Sequence, residues 1–211
     1  MGGISSNPSS RRGGIYPKIS KYLEEFCEDG FNVLEAGCGS GLVSLELTLI
    51  RDIKCVLLDI RGDMIQKAKR NFEKYDDKNV DFIRADVQNL PFIDESFDLV
   101  FNEGVIEHLD NIEGGVKEMA RVSRKYCFIF HPNYYNLLWR IEKKLKRRLG
   151  KFYHGADEYG TEKDLTHKMT ERWLKECGFS TELLGLGGIR RDEILPKTLK
   201  TSIGILGIKK Q

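Results

Sequence analysis

The sequence predicts an α/β domain built on a mostly parallel sheet with helices on both faces. Three observations carry that reading. Short apolar runs alternate with segments whose apolar residues recur at helical spacing. Some of these runs are apolar almost throughout, as in strands buried on both faces. The first run, FNVLEAGCGSG at 31–41, ends in Glu35 and then in Gly37, Gly39 and Gly41 at alternate positions. Glycine is favoured where the backbone must take positive φ or let a ligand come close.

The elements follow in order. Ile19, Tyr22, Leu23, Phe26 and Cys27 recur at helical spacing, with Pro17 in the first turn and Gly30 as the stop, which predicts a helix over 17–28. Strand one covers 31–36, and LVSLELTLI continues as a helix over about 40–50. IKCVLLD, 53–59, is strand two and closes on an acid. RGDMIQKAKRNFEKY places Met64, Ile65, Ala68 and Phe72 on one helical face over 61–75. VDFIRAD (80–86), FDLVFNEG (97–104) and KYCFIFH (125–131) read as strands three to five. Between the last two, NIEGGVKEMARVSR is a helix with Ile112, Val116, Met119 and Ala120 inward. A basic helix over 134–149 and a helix over about 170–177, stopped by Gly178, come next. STELLGLG and TSIGILGIK then read as two strands joined by a long loop, able to pair antiparallel.

Bulk composition sets the frame. With 211 residues the chain suits one sizeable core, and 40% hydrophobic and 31% charged residues describe an ordinary globular domain. A net charge of +2 points to neither nucleic acid nor membrane for the chain as a whole. Cys27, Cys38, Cys55, Cys127 and Cys177 are odd in number and lack metal or redox spacing, so reduced thiols in a cytoplasmic protein are expected. MGGISSNPSSRRGG has no apolar core, so 1–14 reads as a flexible tail and not a secretory signal, with 15–211 as one domain. No run of about 18 apolar residues marks a membrane span. No ligand cluster stands out, so no metal is expected.

A strand feeding a helix through glycines suits an anionic or dipolar ligand at the helix N-terminus. The G-x-G-x-x-G turn of nicotinamide sites would need glycine at 42, where this chain has Leu42. The Gly-Lys-Ser/Thr of a phosphate loop is also missing. In open α/β sheets ligands sit outside the strand C-termini, where Glu35, Asp59, Asp86, Asn102 and His131 all fall. Asp59 also fits a second role, as N-cap of the helix over 61–75, and Asp86 fits a loop cap.

VLEAGCGSG resembles the first motif of the class I S-adenosylmethionine-dependent methyltransferases, and the likeness runs through residues 31–131. Asp59 matches the acid that family uses for the ribose hydroxyls, and Ile60 joins it in the cofactor-binding set. RADVQNLPFIDESFDLVFNEGVIEHL is similar to the adenine-site and strand-four segments of the family's broad small-molecule branch. By that resemblance Asp86 accepts from the adenine amino group and Val87 offers its backbone to the ring, while Asn102 and Glu103 line the methionine end. LTHKMTERWLKECGF resembles the branch's late helix. The resemblance implies a Rossmann-like seven-stranded sheet in the order 3-2-1-4-5-7-6, with strand seven antiparallel. It also implies S-adenosylmethionine as cofactor, S-adenosylhomocysteine as product and a small or medium-sized acceptor. The chemistry agrees: a carboxylate at Asp59 accepts two hydrogen bonds from a diol, and Glu35 answers positive charge without any lysine-rich cradle.

Methyl transfer is an in-line displacement that needs alignment, and a general base only if the acceptor must lose a proton. His108 is the first candidate for that base and His131 the second, although single histidines are more often structural. HPNYY is superficially similar to the Asn/Asp-Pro-Pro-Tyr motif of base-amine methyltransferases, but that motif belongs after strand four, where this chain has FNEG. WRIEKKLKRRLGK, 139–151, reads first as a solvated helix face, and after that as a cover for an anionic acceptor, an anionic-lipid surface or an RNA contact. Its place in the chain predicts that 133–168 helps to cover the acceptor site. Two other classes stay open: a regulatory protein that binds the cofactor without turnover, and a nicotinamide oxidoreductase, which Leu42 disfavours.

Overall fold

The computed structural model describes residues 16–75, 79–132, 163, 165–186 and 202–210. In chain order the elements are α1 (Tyr16–Glu24), β1 (Asn32–Ala36), α2 (Leu42–Thr48), β2 (Lys54–Asp59), α3 (Gly62–Phe72), β3 (Val80–Arg84), β4 (Phe97–Glu103), α4 (Ile112–Val122), β5 (Ser123–Pro132), α5 (His167–Glu176), β6 (Phe179–Leu186) and β7 (Ser202–Lys209). One seven-stranded sheet runs β3-β2-β1-β4-β5-β7-β6. The pairs β1–β2, β1–β4, β2–β3 and β4–β5 are parallel. β7 lies antiparallel to both β5 and β6. The expected order and the direction of strand seven are therefore both observed.

Strand alternation divides the core between the two faces of the sheet. Val33, Leu57, Leu99, Phe101 and Phe128 pack with Ile19, Leu23, Leu45 and Ile65 on the α1–α3 side. Leu34, Leu58, Val100, Cys127 and Ile129 pack with Met119, Ala120, Trp173 and Leu174 on the α4–α5 side. Burying aromatic and aliphatic side chains of this kind contributes roughly 1.5–3 kcal/mol each. β1 lies between β2 and β4, so the crossovers leave it in opposite directions and open a crevice at its C-terminal end.

The elements differ from expectation at their edges. α1 ends at Glu24, four residues early, and a turn in which Phe26 N–H donates to Leu23 O leads to Gly30 at φ +85°. Ser123 and Arg124, expected at the end of a helix, open β5. The ladder shifts between Phe97 and Leu99, and Ser123 Oγ donates to Tyr126 O at 2.7 Å across that bulge. α5 starts at His167, three residues before its expected start, because Thr166 caps it by accepting from Met169 N–H. The expected tail over 1–14 and the basic helix over 134–149 lie outside the described residues. Among the described residues no helix is long and apolar enough to cross a membrane.

Candidate functional site

Gly37, Gly39 and Gly41 all take left-handed backbone, with φ of +81°, +51° and +69°. Gly37 and Cys38 N–H both donate to Leu58 O, at 2.7 and 2.8 Å, which ties the turn to β2. Two of the three glycines are packed from outside. A Cβ on Gly37 would run into Val105, and one on Gly41 would lie 2.6 Å from Leu57 Cδ2. A Cβ on Gly39 would meet nothing within 4 Å among the described residues. The middle of the turn therefore faces open space, while its ends are wedged against the post-β4 loop and the core.

Asp59, 8% exposed, ends β2 beside this turn. Its Oδ2 accepts from Gly39 N–H at 2.8 Å and its Oδ1 from Arg61 N–H at 2.9 Å. Asp59 is thus not the N-cap expected for the helix that follows, because α3 starts at Gly62 and its N-cap is Arg61. The acid supports the start of α3 and carries the open glycine. Each oxygen keeps further acceptor capacity, as an ionised carboxylate offers about four sites. Ile60 follows with 59% of its surface exposed, an apolar side chain standing at the rim.

Glu35 shares the α2 face with Val33 and is 3% exposed. Ser44 in the first turn of α2 donates its hydroxyl to Glu35 Oε2 at 2.5 Å. Burial pushes the carboxyl up to about 8, opposed by the Ser44 bonds and reinforced by Glu103 and Asp59. From the unfolded carboxyl value up to about pH 8, the folded chain holds a proton that the unfolded chain has lost. Stability therefore falls as pH rises through that window and levels off above it. Glu35→Gln is expected to remove most of this slope and to gain a few kcal/mol near pH 9. Urea unfolding of parent and variant at about pH 6 and about pH 9 checks it.

Asn102, next to last in β4, lies on the other face and is fully buried. Its Nδ2 donates to Phe130 O at 3.3 Å, while Oδ1 has no partner among the described residues. Glu103 is half-buried and reaches the field of Glu35. The alternation thus splits the predicted rim: Glu35, Asp59 and Glu103 lie on the α1–α3 side, Asn102 and His131 on the α4–α5 side.

Beyond β3, Asp86 Oδ1 accepts from Gln88 N–H at 2.9 Å, and the Gln88 amide nitrogen lies 3.2 Å from Oδ2. Val87 is buried at 4% exposure. His108 closes a short 3₁₀ turn, Ile106–His108, in the post-β4 loop and is half-buried. His131 is 2% exposed. Its Nδ1–H donates to Pro132 O at 2.8 Å, leaving Nε2 as a bare acceptor without a partner among the described residues. Burial lowers its pKa to about 4, so the ring is neutral. Imidazole resonances of His131 are expected to hold the neutral pattern down to about pH 5, and nitrogen-15 spectra across pH 5–8 check it. Burial also drives the Cys38 thiol up, which suits a small side chain in the turn and not a nucleophile. Among the described residues no group of His, Cys, Asp and Glu could hold a metal.

Sequence reasoning missed four participants. Ser44 was a polar residue inside an apolar helix run, a signal that could have been used. Val105, Gln88 and Lys163 sit in loops without periodicity, and only the folded chain shows what they touch.

The sheet order, the left-handed glycine turn and the acid ending β2 define a class of fold: the class I S-adenosylmethionine-dependent methyltransferase domain. Residues 34–130 match the family described as methyltransferase domain. Among curated relatives, ajmaline N-methyltransferase of Rauvolfia serpentina is 32% identical over 93 residues, which cover 44% of this chain and 32% of that protein. Demethylmenaquinone methyltransferase of Desulfitobacterium hafniense is 28% identical over 137 residues, 60% of this chain and 54% of that one. The chain thus spans about a third to a half of the length of these relatives. A chain from the complex of the Haloferax volcanii Trm112 methyltransferase activator with a methyltransferase superposes with a TM-score of 0.70 at 16% identity. The match covers 93% of this chain and 90% of that one.

Proposed function

We propose that the chain binds S-adenosylmethionine at the C-terminal edge of β1, β2 and β4 and methylates a small or medium-sized acceptor. The observation that carries this is the open face of Gly39, held by Asp59 in a turn with positive φ at alternate residues. A peptide surface bare of side chains, next to a carboxylate with acceptor sites to spare, suits a neutral sugar diol. No lysine stands in the turn to meet a phosphate, which separates this site from a dinucleotide cradle. The residues present fit the cofactor. Asp59 would take the ribose hydroxyls, Ile60 and the Val87 backbone would flank the base, and Asp86 would accept from its amino group. Asn102 Oδ1, buried and without a partner among the described residues, and Glu103 would answer the cationic methionine end, with Glu35 beside them as a neutral carboxyl below about pH 8. When bound, the cofactor supplies a methyl group on a sulfonium centre.

What the chain's own groups do then follows. The glycine turn and Asp59 fix the orientation on which an in-line displacement depends. Where the acceptor must lose a proton, His108 in the post-β4 loop is the first base and the bare Nε2 of His131 the second. β5 ends at Pro132 on this edge, and Lys163 is bonded back onto the post-β4 loop. The chain between them starts and finishes beside the acceptor side, which supports residues 133–168 as its cover. An RNA or an anionic lipid as acceptor, contacted through 139–151, is the alternative within this reading, and those residues lie outside the described ones. A regulatory protein without turnover is the alternative beyond it.

Calorimetric titration with S-adenosylmethionine, S-adenosylhomocysteine and NADH tests the proposal. Binding of the first two with no NADH heat is the expected result, and NADH binding alone would sink it. Turnover against metabolite pools, RNA and anionic vesicles then separates the acceptor classes.

A further inference from the structure

Two loops rise from the C-terminal edge: one follows β3 and carries Asp86, the other follows β4 and carries His108. They are not neighbours in sequence, yet the side chain of Gln88 joins them. Its Nε2 lies 3.3 and 3.2 Å from the two carboxylate oxygens of Asp86. Its Oε1 accepts from Asn111 N–H at 2.7 Å. Asn111 in turn caps α4, its Oδ1 accepting from Gly114 N–H at 2.9 Å. All the hydrogen-bonding groups of one amide are thus divided between the two loops.

A second tie reaches the same loop from the far side. Lys163 Nζ donates to Leu109 O and Asp110 O, both at 2.7 Å, and its own N–H donates to Glu107 O at 2.9 Å. This ammonium stands just before the N-terminus of α4, where the helix dipole disfavours a cation. Asp110 offsets it only from 3.9 Å. A lysine in that place therefore serves the two carbonyls it holds and adds nothing to the helix.

Resting on the cofactor reading above, we propose that Gln88 is a positioning residue coupling occupation of the adenine side at Asp86 to the order of the post-β4 loop, with Lys163 holding that loop on its other side. A ligand that engages Asp86 stiffens the Asp86–Gln88–Asn111 chain, and the loop carrying His108 is set before the acceptor arrives. Cofactor first and acceptor second is the binding order this predicts.

The test uses the full chain, S-adenosylhomocysteine as probe and hydrogen exchange as readout. In the parent, the probe is expected to slow exchange at 105–111 by about fivefold or more, within the usual range of coupling between sites. It should slow the glycine turn at 37–41 as well. In Gln88→Leu the effect at 105–111 disappears while that at 37–41 persists. Gln88→Glu keeps the acceptor for Asn111 N–H but sets a carboxylate against Asp86. It should retain the loop's protection without ligand and lose the ligand-dependent part, which a merely structural role would not separate. Unchanged ligand-dependent protection at 105–111 in both variants overturns the coupling alone. A parent that fails to bind the probe overturns the cofactor reading and this inference with it.

Discussion

Gly39→Ala is expected to weaken S-adenosylhomocysteine binding at least tenfold while moving thermal unfolding by only a few degrees. Gly37→Ala, two residues away, is expected to lower the unfolding midpoint by about 10 °C. Both positions have positive φ, which costs an alanine roughly 1–2 kcal/mol. They differ in what a methyl group would meet. At Gly39 it enters open space, so the backbone term is nearly the whole stability cost, and the methyl occupies the place proposed for the ligand. At Gly37 it drives into Val105, and overpacking of that kind adds about 1–3 kcal/mol. In a domain of this size each kcal/mol shifts the midpoint by about 2–4 °C. Differential scanning calorimetry and ligand titration on the same samples measure both effects. Equal losses of affinity and stability in the two variants would mean that the open face of the turn is not a binding surface.

Asp59→Ala is expected to cut S-adenosylhomocysteine affinity about a hundredfold, the loss of two charge-assisted hydrogen bonds worth ~1.5 kcal/mol each. The fold survives, but stability falls by about 2–4 kcal/mol, because the amides of Gly39 and Arg61 lose their acceptor. Asp59→Asn separates the two roles. An asparagine oxygen still accepts from one amide, while its NH₂ faces the other as a donor, so stability recovers in part and the charge-assisted bonds to a diol do not. If Asp59 only supported α3, both variants would bind normally once corrected for the unfolded fraction. Circular dichroism melts beside calorimetric titration decide between these outcomes.

The sheet was legible because its strands obey simple rules. Runs such as CVLLD, apolar up to a final acid, mark buried parallel strands and place Glu35 and Asp59 at the edge where ligands sit. The strand order itself came from the family resemblance, since periodicity says nothing about neighbours. Local bonds set what periodicity could not. The Ser123 hydroxyl across a bulge made strand of residues that read as helix, and the Thr166 cap started α5 early. The candidate residues Glu35, Asp59, Asn102 and His131 do lie near the C-terminal ends of strands, but their partners were hidden. That Glu35 lies against Ser44, or that Gln88 spans two loops, depends on packing between segments far apart in sequence.

β7 is made after β6 yet lies between it and β5. During synthesis β6 therefore emerges with no strand to pair with, and β5 keeps one naked edge until β7 arrives. The parallel half of the sheet has all its own partners long before that moment. Folding on the ribosome should thus pause with a finished parallel half and an exposed edge, and that interval, more than the mature molecule, is when this chain is open to mispairing with its own copies.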